Sequence, residues 1–221
     1  MVTEIQKFRN GKFIVYYSNS VITKIVANWI DKTMEVYAGK VLLSKFKART
    51  LDCLVNDHGM SVDEEGTTVF VQDWDTGIYA YDVRLGQLLW HNKRVKCVRV
   101  LICCNHKLYA FVDVRRMVVM NPESGEVIRS DTKMNVENYF ELPDRRFFYG
   151  PKRHNWYVAD LETLETIYTF PDKLVNPNGH EVLYIENVAQ SDDRLILKGV
   201  EGSDPSIDRN FERQIRFEDS I

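Results

Sequence analysis

The sequence predicts an all-β protein, a single β-propeller of five four-stranded blades closed by pairing of its N- and C-terminal strands. Three observations carry this expectation: a repeat with a fixed period, short alternating strands separated by turn residues, and enough copies to fill the chain. Residues 79–90, 118–129 and 157–168 align without gaps, each starting 39 residues after the last. Asp82, Asn121 and Asp160 share one column, Leu89, Ile128 and Ile167 another, and Gly86 and Gly125 a third, which Leu164 interrupts.

The repeated string reads as a hairpin. An apolar strand ends in Asp or Asn, whose short side chain can organise a turn, and Gly supplies a positive φ before the next strand begins. The strand before it repeats in the same register, with Val69, Leu108 and Phe147 in one column, again 39 residues apart. Another strand precedes each of these, at 96–102 and 137–142 for instance, so a unit holds four strands, A to D. Weaker copies flank the clear ones. Residues 34–43 match 81–90, while 182–185, 194–199 and 211–217 supply the strands of a last unit.

Five units of about 44 residues fill the chain, within the length usual for propeller blades. No Pro- or Gly-rich linker divides it, so residues 1–221 are expected to form one domain. An open array of such sheets would expose unpaired edges, which closure removes. Pro205 disfavours a further strand just after 194–199. Residues 3–8 are therefore expected to form the outer strand of the last blade, antiparallel to 211–217, with Ile5 beside Ile215 or Phe217. A β-sandwich is the runner-up, but it requires no such period.

The string from Ile78 to Trp90 resembles the quinoprotein-type (PQQ-like) propeller repeat, in which an apolar-Ala-apolar-Asp strand is followed by a Gly turn and a Gly-x-apolar-apolar-Trp strand. The match is good in this unit, partial over 117–129 and 156–168, and faint elsewhere. WD-repeat landmarks do not recur. The resemblance implies a propeller; it carries over no functional residue, because quinoprotein enzymes use larger propellers with cofactor and calcium sites that nothing here matches.

Composition narrows the function classes. Hydrophobic residues are 44% and charged residues 28% of the chain, which is globular, and a net charge of −3 argues against a generic basic nucleic-acid binder. No apolar run approaches a membrane span, and the N-terminus lacks a secretory pattern, so a cytoplasmic address is expected. Cys53, Cys97, Cys103 and Cys104 are then expected to be reduced thiols, with Cys103 and Cys104 on opposite faces of a strand. Their adjacency does not give the separated pairs of a zinc site, even with His106 nearby.

Candidate site residues lie at the connections. The B–C and D–A connections share one face of a propeller, and here they carry Trp29, Asp73, Trp74, Asp75, Arg115, Arg116, Arg153, His154 and Trp156. Lys45, Lys47, Arg49, His91, Lys93, Arg94 and Lys96 add local positive charge. The opposite face is acidic, with Asp57, Asp63, Glu64, Glu65, Asp144, Asp192 and Asp193. Asp73, Trp74, Asp75, Arg153, His154 and Trp156 are the expected binding residues, since a Trp at a loop tip is an amphipathic anchor of the kind found at binding hot spots. Asp73 and Asp75 with Gly77 lack the remaining ligands of a calcium loop, so no metal or cofactor is expected.

No nucleophile elbow, phosphate loop or His-Glu-x-x-His helix is present, and no enzymatic activity is expected. The expected function is a monomeric, non-catalytic protein-binding propeller, in its most specific form a bacterial immunity protein that neutralises a cognate toxin. A lectin-type propeller would need equivalent polar and aromatic residues in every blade, whereas the tips here differ. A small glycosidase-like enzyme would need carboxylates in the central channel.

Overall fold

The structure is a computed structural model of all 221 residues. The described residues are 2–18, 20–51, 59–113, 116–131, 138–152, 155–177, 183–201 and 209–221. They form five antiparallel sheets, each built from strands consecutive in sequence. The first contains β1 (Val2–Lys7), β2 (Lys12–Tyr17), β3 (Lys24–Asn28), β4 (Thr33–Ala38) and β5 (Val41–Lys47). The second contains β6 (Met60–Val62), β7 (Thr68–Asp73), β8 (Gly77–Asp82) and β9 (Leu88–Asn92). The third contains β10 (Val98–Cys104), β11 (Lys107–Val112), β12 (Arg116–Met120) and β13 (Val127–Asp131). The fourth contains β14 (Asn138–Leu142), β15 (Arg146–Lys152), β16 (Asn155–Asp160) and β17 (Thr166–Pro171), followed by the short helix α1 (Asp172–Val175). The fifth contains β18 (Leu183–Ser191), β19 (Arg194–Glu201) and β20 (Arg209–Arg216). The chain falls into two compact units, Met1–Met134 with three sheets and Asn135–Ile221 with two.

The period in the sequence is a period in space. Val69 pairs with Tyr81, Leu108 with Met120 and Phe147 with Ala159, and Val69, Leu108 and Phe147 are all 0% exposed. The hairpin that follows repeats the same side-chain-organised turn. Asp82 Oδ1 accepts the N–H of Leu85, Asn121 Oδ1 those of Glu123 and Ser124, and Asp160 Oδ1 those of Glu162 and Thr163. The N–H of Gly86, Gly125 and Leu164 donates to the carbonyl of Asp82, Asn121 and Asp160 respectively. Leu164 breaks the glycine column in identity but not in shape: its φ is +63°, against +64° and +72° at Gly86 and Gly125.

Those glycines serve packing as well as the turn. A Cβ on Gly86 would lie 2.4 Å from Phe46 Cβ, and one on Gly125 would lie 2.5 Å from Trp90 Cε3. The outermost strand of one sheet thus sets an aromatic ring against the turn of the next. Trp90 fixes its position by donating from Nε1 to the Pro122 carbonyl at 2.8 Å. In the second unit Tyr168 of β17 stacks on Phe217 at 4.5 Å.

Apolar cores lie between the first and second, the second and third, and the fourth and fifth sheets, which explains why the central strands of the second sheet are buried on both faces. Val69, Val71, Tyr79 and Tyr81 of the second sheet pack with Ile25, Met34 and Val36 of the first. Their alternate neighbours Phe70, Ile78 and Ala80 pack with Leu101, Leu108 and Val118 of the third. The period-2 alternation of strand side chains divides one sheet between two cores. In the second unit, Phe148, Trp156, Val158 and Phe170 pack with Ile185, Leu195, Leu197 and Ile215 in the same way.

The N-terminal strand departs from expectation. β1 pairs with β2, with Ile5 opposite Val15 and Lys7 opposite Phe13, and not with residues 211–217. Asn10-Gly11 explains it. Gly11 takes φ +78°, its N–H donates to the Phe8 carbonyl at 3.1 Å, and Asn10 Oδ1 accepts the Lys12 N–H at 3.2 Å. Asn-Gly between alternating apolar runs is a strong local hairpin signal, and the three-residue loop Arg9-Asn10-Gly11 closes with far less loss of chain entropy than a pairing across the whole sequence. Ile5 accordingly packs into the core between the first two sheets.

Cys97, Cys103 and Cys104 form no disulfide with one another; Cys103 is buried and Cys104, at the end of β10, is half-buried. Cys53 lies outside the described residues.

Candidate functional site

The turn between β7 and β8 is organised by Asp73. Its Oδ1 accepts the Asp75 N–H at 3.1 Å, the Thr76 N–H at 2.7 Å and the Thr76 hydroxyl at 2.7 Å. Its Oδ2 accepts the Thr50 hydroxyl at 2.6 Å, from the connection between the first two sheets. Burial alone would raise the Asp73 pKa; the bonds from Thr50, Thr76 and Asp75 outweigh it and hold the carboxyl below the usual carboxylate value. Asp73 is 7% exposed and works as the frame of the turn.

That frame presents Trp74 and Asp75 to solvent. Trp74 is 38% exposed, and its backbone carbonyl accepts the Cys97 N–H at 3.0 Å. The far side of the turn is fixed by His91. Its ring stacks on Tyr79 at 3.9 Å and its Nε2 lies 2.8 Å from the Thr76 carbonyl. A carbonyl only accepts, so Nε2 carries the proton. Lys93, Arg94 and Lys96, in the connection that Cys97 ties to this turn, are exposed.

A second exposed group lies at the corresponding end of the first sheet. Phe8, at the β1–β2 turn, and Trp29, at the β3–β4 turn, are 46% and 51% exposed, and Ile30 beside Trp29 is also exposed. The two turns are adjacent because β2 and β3 pair Lys12 with Asn28, and the Trp29 N–H donates to the Gly11 carbonyl at 3.1 Å. The connection at 48–51 bridges this group to the Trp74 turn. The Ala48 N–H donates to the Lys32 carbonyl at 2.8 Å, and the Arg49 N–H to the Tyr81 hydroxyl at 2.9 Å. Phe8, Trp29 and Trp74 are the exposed aromatic side chains among the described residues, and all three stand on turns at this end of the first unit.

Trp156 has a different role from the one expected. It is 3% exposed, stacked on Phe148 at 5.0 Å, with Nε1 donating to Asp172 Oδ1 at 2.9 Å. It is the second residue of β16, not a turn residue, and faces the core between the fourth and fifth sheets, so it cannot be a surface anchor. Arg153 and His154 lie outside the described residues. Of the expected residues, Trp74 and Asp75 stand together at the surface, and Asp73 holds them. Phe8 and Ile30 were missed; the signal that could have found Phe8 is the Asn10-Gly11 hairpin that brings it beside Trp29.

The acidic end of the same unit holds a cavity of about 610 Å³ between the second and third sheets, lined by Asp63, Glu64, Glu65, Phe70, Leu89 and Cys103 among others. Asp63 is spent on its own turn, accepting the N–H of Thr67 at 2.8 Å and of Thr68 at 3.0 Å. Burial, and then the nearby Asp63, Cys104, Glu64 and Glu65, push the Cys103 thiol pKa up, which disfavours the thiolate. Among the described residues no three His, Cys, Asp or Glu side chains are grouped to hold a metal ion.

No family model and no curated protein matches the chain. Solved structures do. BamB from Moraxella catarrhalis is 12% identical with a TM-score of 0.55, over 96% of this chain and 66% of that one. The dihydro-heme d1 dehydrogenase NirN is 12% identical with a TM-score of 0.58, over 89% of this chain and 42% of that one. A chain of the mitotic checkpoint complex is 12% identical with a TM-score of 0.58, over 94% of this chain and 68% of that one. The chain thus spans less than two thirds of the first two structures. With the five repeated sheets, these likenesses define the fold as a five-bladed β-propeller.

Proposed function

We propose that this propeller is a non-catalytic protein-binding module whose binding surface is the turn-bearing end of the first unit. The observation that carries the reading is the placement of Phe8, Trp29 and Trp74, exposed aromatics on turns fixed by their own hydrogen bonds. Rigid aromatic side chains lose little entropy on binding and supply much of the energy at protein interfaces. A similar propeller occurs within the mitotic checkpoint complex, a protein assembly by its description.

In its most specific form, the partner is a toxin domain and this chain its immunity protein, acting in the cytoplasm as a monomer. The absence of a catalytic motif from the sequence and the small self-contained repeat favour an inhibitor over an enzyme.

The test is capture of a partner on the immobilised protein, compared with the Trp29→Ala/Trp74→Ala double variant and a Glu64→Gln/Glu65→Gln control at the other end. The aromatic variant is expected to lose the partner, by about 2 kcal/mol or more for a hot-spot tryptophan, while the control retains it. Co-expression with the captured protein should then relieve its toxicity. Equal retention by the aromatic variant would reject this surface, and a captured protein that is harmless when expressed alone would reject the toxin reading.

A further inference from the structure

The fifth sheet stops one strand short. The other four each carry a strand beyond the third of the repeat (β5, β9, β13 and β17), whereas β20 ends its sheet as the third strand, after β18 and β19. Among the described residues no strand pairs with the outer edge of β20. The chain that follows does not fold back along it. Phe217 stacks on Tyr168 and meets Phe170 of β17 at a tilt, and the Ile221 N–H donates to the Thr169 carbonyl at 2.9 Å, which commits residues 217–221 to the neighbouring sheet.

The direction of the edge can be read from its bonds. Leu195 pairs with Ile215, and the Phe217 N–H donates to the Asp193 carbonyl, so odd-numbered residues of β20 turn their backbone groups toward β19. Asn210, Glu212 and Gln214 therefore turn N–H and C=O outward, as the alternation of an antiparallel strand demands. At Arg216 the outward N–H is taken by Asp219 Oδ2 at 3.2 Å, which closes that end. Side chains flanking the edge define its chemistry: Phe211 and Ile215 lie on the core-facing side, exposed Arg209 stands at one end, and at the other Arg216 is already paired with Glu218 at 2.9 Å.

We propose that the outer edge of β20 receives an added β-strand from a protein partner. The segment that fits is extended, apolar where it passes Phe211 and Ile215, and acidic where it passes Arg209. An unpaired edge of this length is a template for strand addition, in which main-chain bonds supply affinity and alternate side chains supply selectivity. The inference goes beyond the aromatic surface and stands independently of it.

The test uses a fluorescent peptide matched in length to β20, with glutamate at the end that meets Arg209 and alternating phenylalanine and threonine over the rest. One control has alternate backbone nitrogens methylated, and another has lysine in place of glutamate. The unmodified peptide is expected to bind and to slow amide exchange at Asn210, Glu212 and Gln214. Methylation is expected to weaken it at least about tenfold through the loss of several main-chain bonds, and the lysine peptide is expected to bind more weakly too. Gln214→Pro, checked for folding by circular dichroism, should abolish binding. Equal binding of the methylated peptide overturns the proposal. So does slow exchange at the three amides in the protein alone: if it is independent of concentration the chain covers its own edge, and if it rises with concentration a second copy does.

Discussion

Gly125 and Leu164 occupy one position of the repeat and illustrate its two separate demands. The turn requires a positive φ, which both supply, and the preceding sheet at Gly125 requires that no Cβ be present, because Trp90 fills that space. Gly125→Ala should therefore cost about 2–4 kcal/mol, combining a left-handed non-glycine residue with overpacking. Leu164→Gly should have the opposite sign and be slightly stabilising, by about 0.5 kcal/mol, because relief of the αL penalty exceeds the entropy that Gly adds to the unfolded chain. Urea denaturation of the two variants checks both signs. Asp73 makes a prediction in pH. Its folded pKa is depressed, so its contribution is complete above the unfolded carboxylate value of about 3.9 and is lost as pH falls through the folded value. Asp73→Asn should lower stability by about 1 kcal/mol at neutral pH and flatten the acid limb of a stability-pH curve. A wild-type limb that the substitution leaves unchanged would show that Asp73 is not the titrating group.

At the scale of the element, the hairpin β1–β2 shows a local signal overriding a global argument. The need to close sheet edges pointed residues 3–8 to the C-terminal strand, but Asn10-Gly11 and the alternation around it direct them onto β2. Ile5 opposite Val15 should give strong interstrand contacts by NMR, and none to Ile215. Ile5→Ala should cost about 1–2 kcal/mol for a side chain only partly buried against the first core. Most strands were legible because alternation, turn residues and period agree, as in the column of Val69, Leu108 and Phe147. Trp156 was not legible as a core residue. Assigning it to a turn or a strand depended on where β16 begins, and a shift of one or two residues moves a side chain from loop to core. Asp73 was read as a binding group for a related reason: a sequence shows a carboxylate near a turn, but not that four donors converge on it.

For the molecule as a whole, the second and third sheets bury both faces of their central strands, the first and fifth bury one, and distinct chemistry is left to the turns and the strand edges. Within the first unit one end is aromatic with exposed lysine and arginine, and the other is a carboxylate-rimmed cavity. The sequence had already separated these two sets of residues, because A–B and C–D turns fall at one end of a sheet and B–C turns at the other whatever the details of packing. It could not rank them, since fixed and free side chains look alike before their partners are known. Binding of a protein at the aromatic end is read by hydrogen–deuterium exchange of the protein with its captured partner. Protection is expected to be confined to turns 8–11, 28–32 and 73–76 and the connection at 93–97. Protection at 63–67, 104–106 and 121–126 instead, with the aromatic turns unchanged, would contradict it and assign binding to the acidic end.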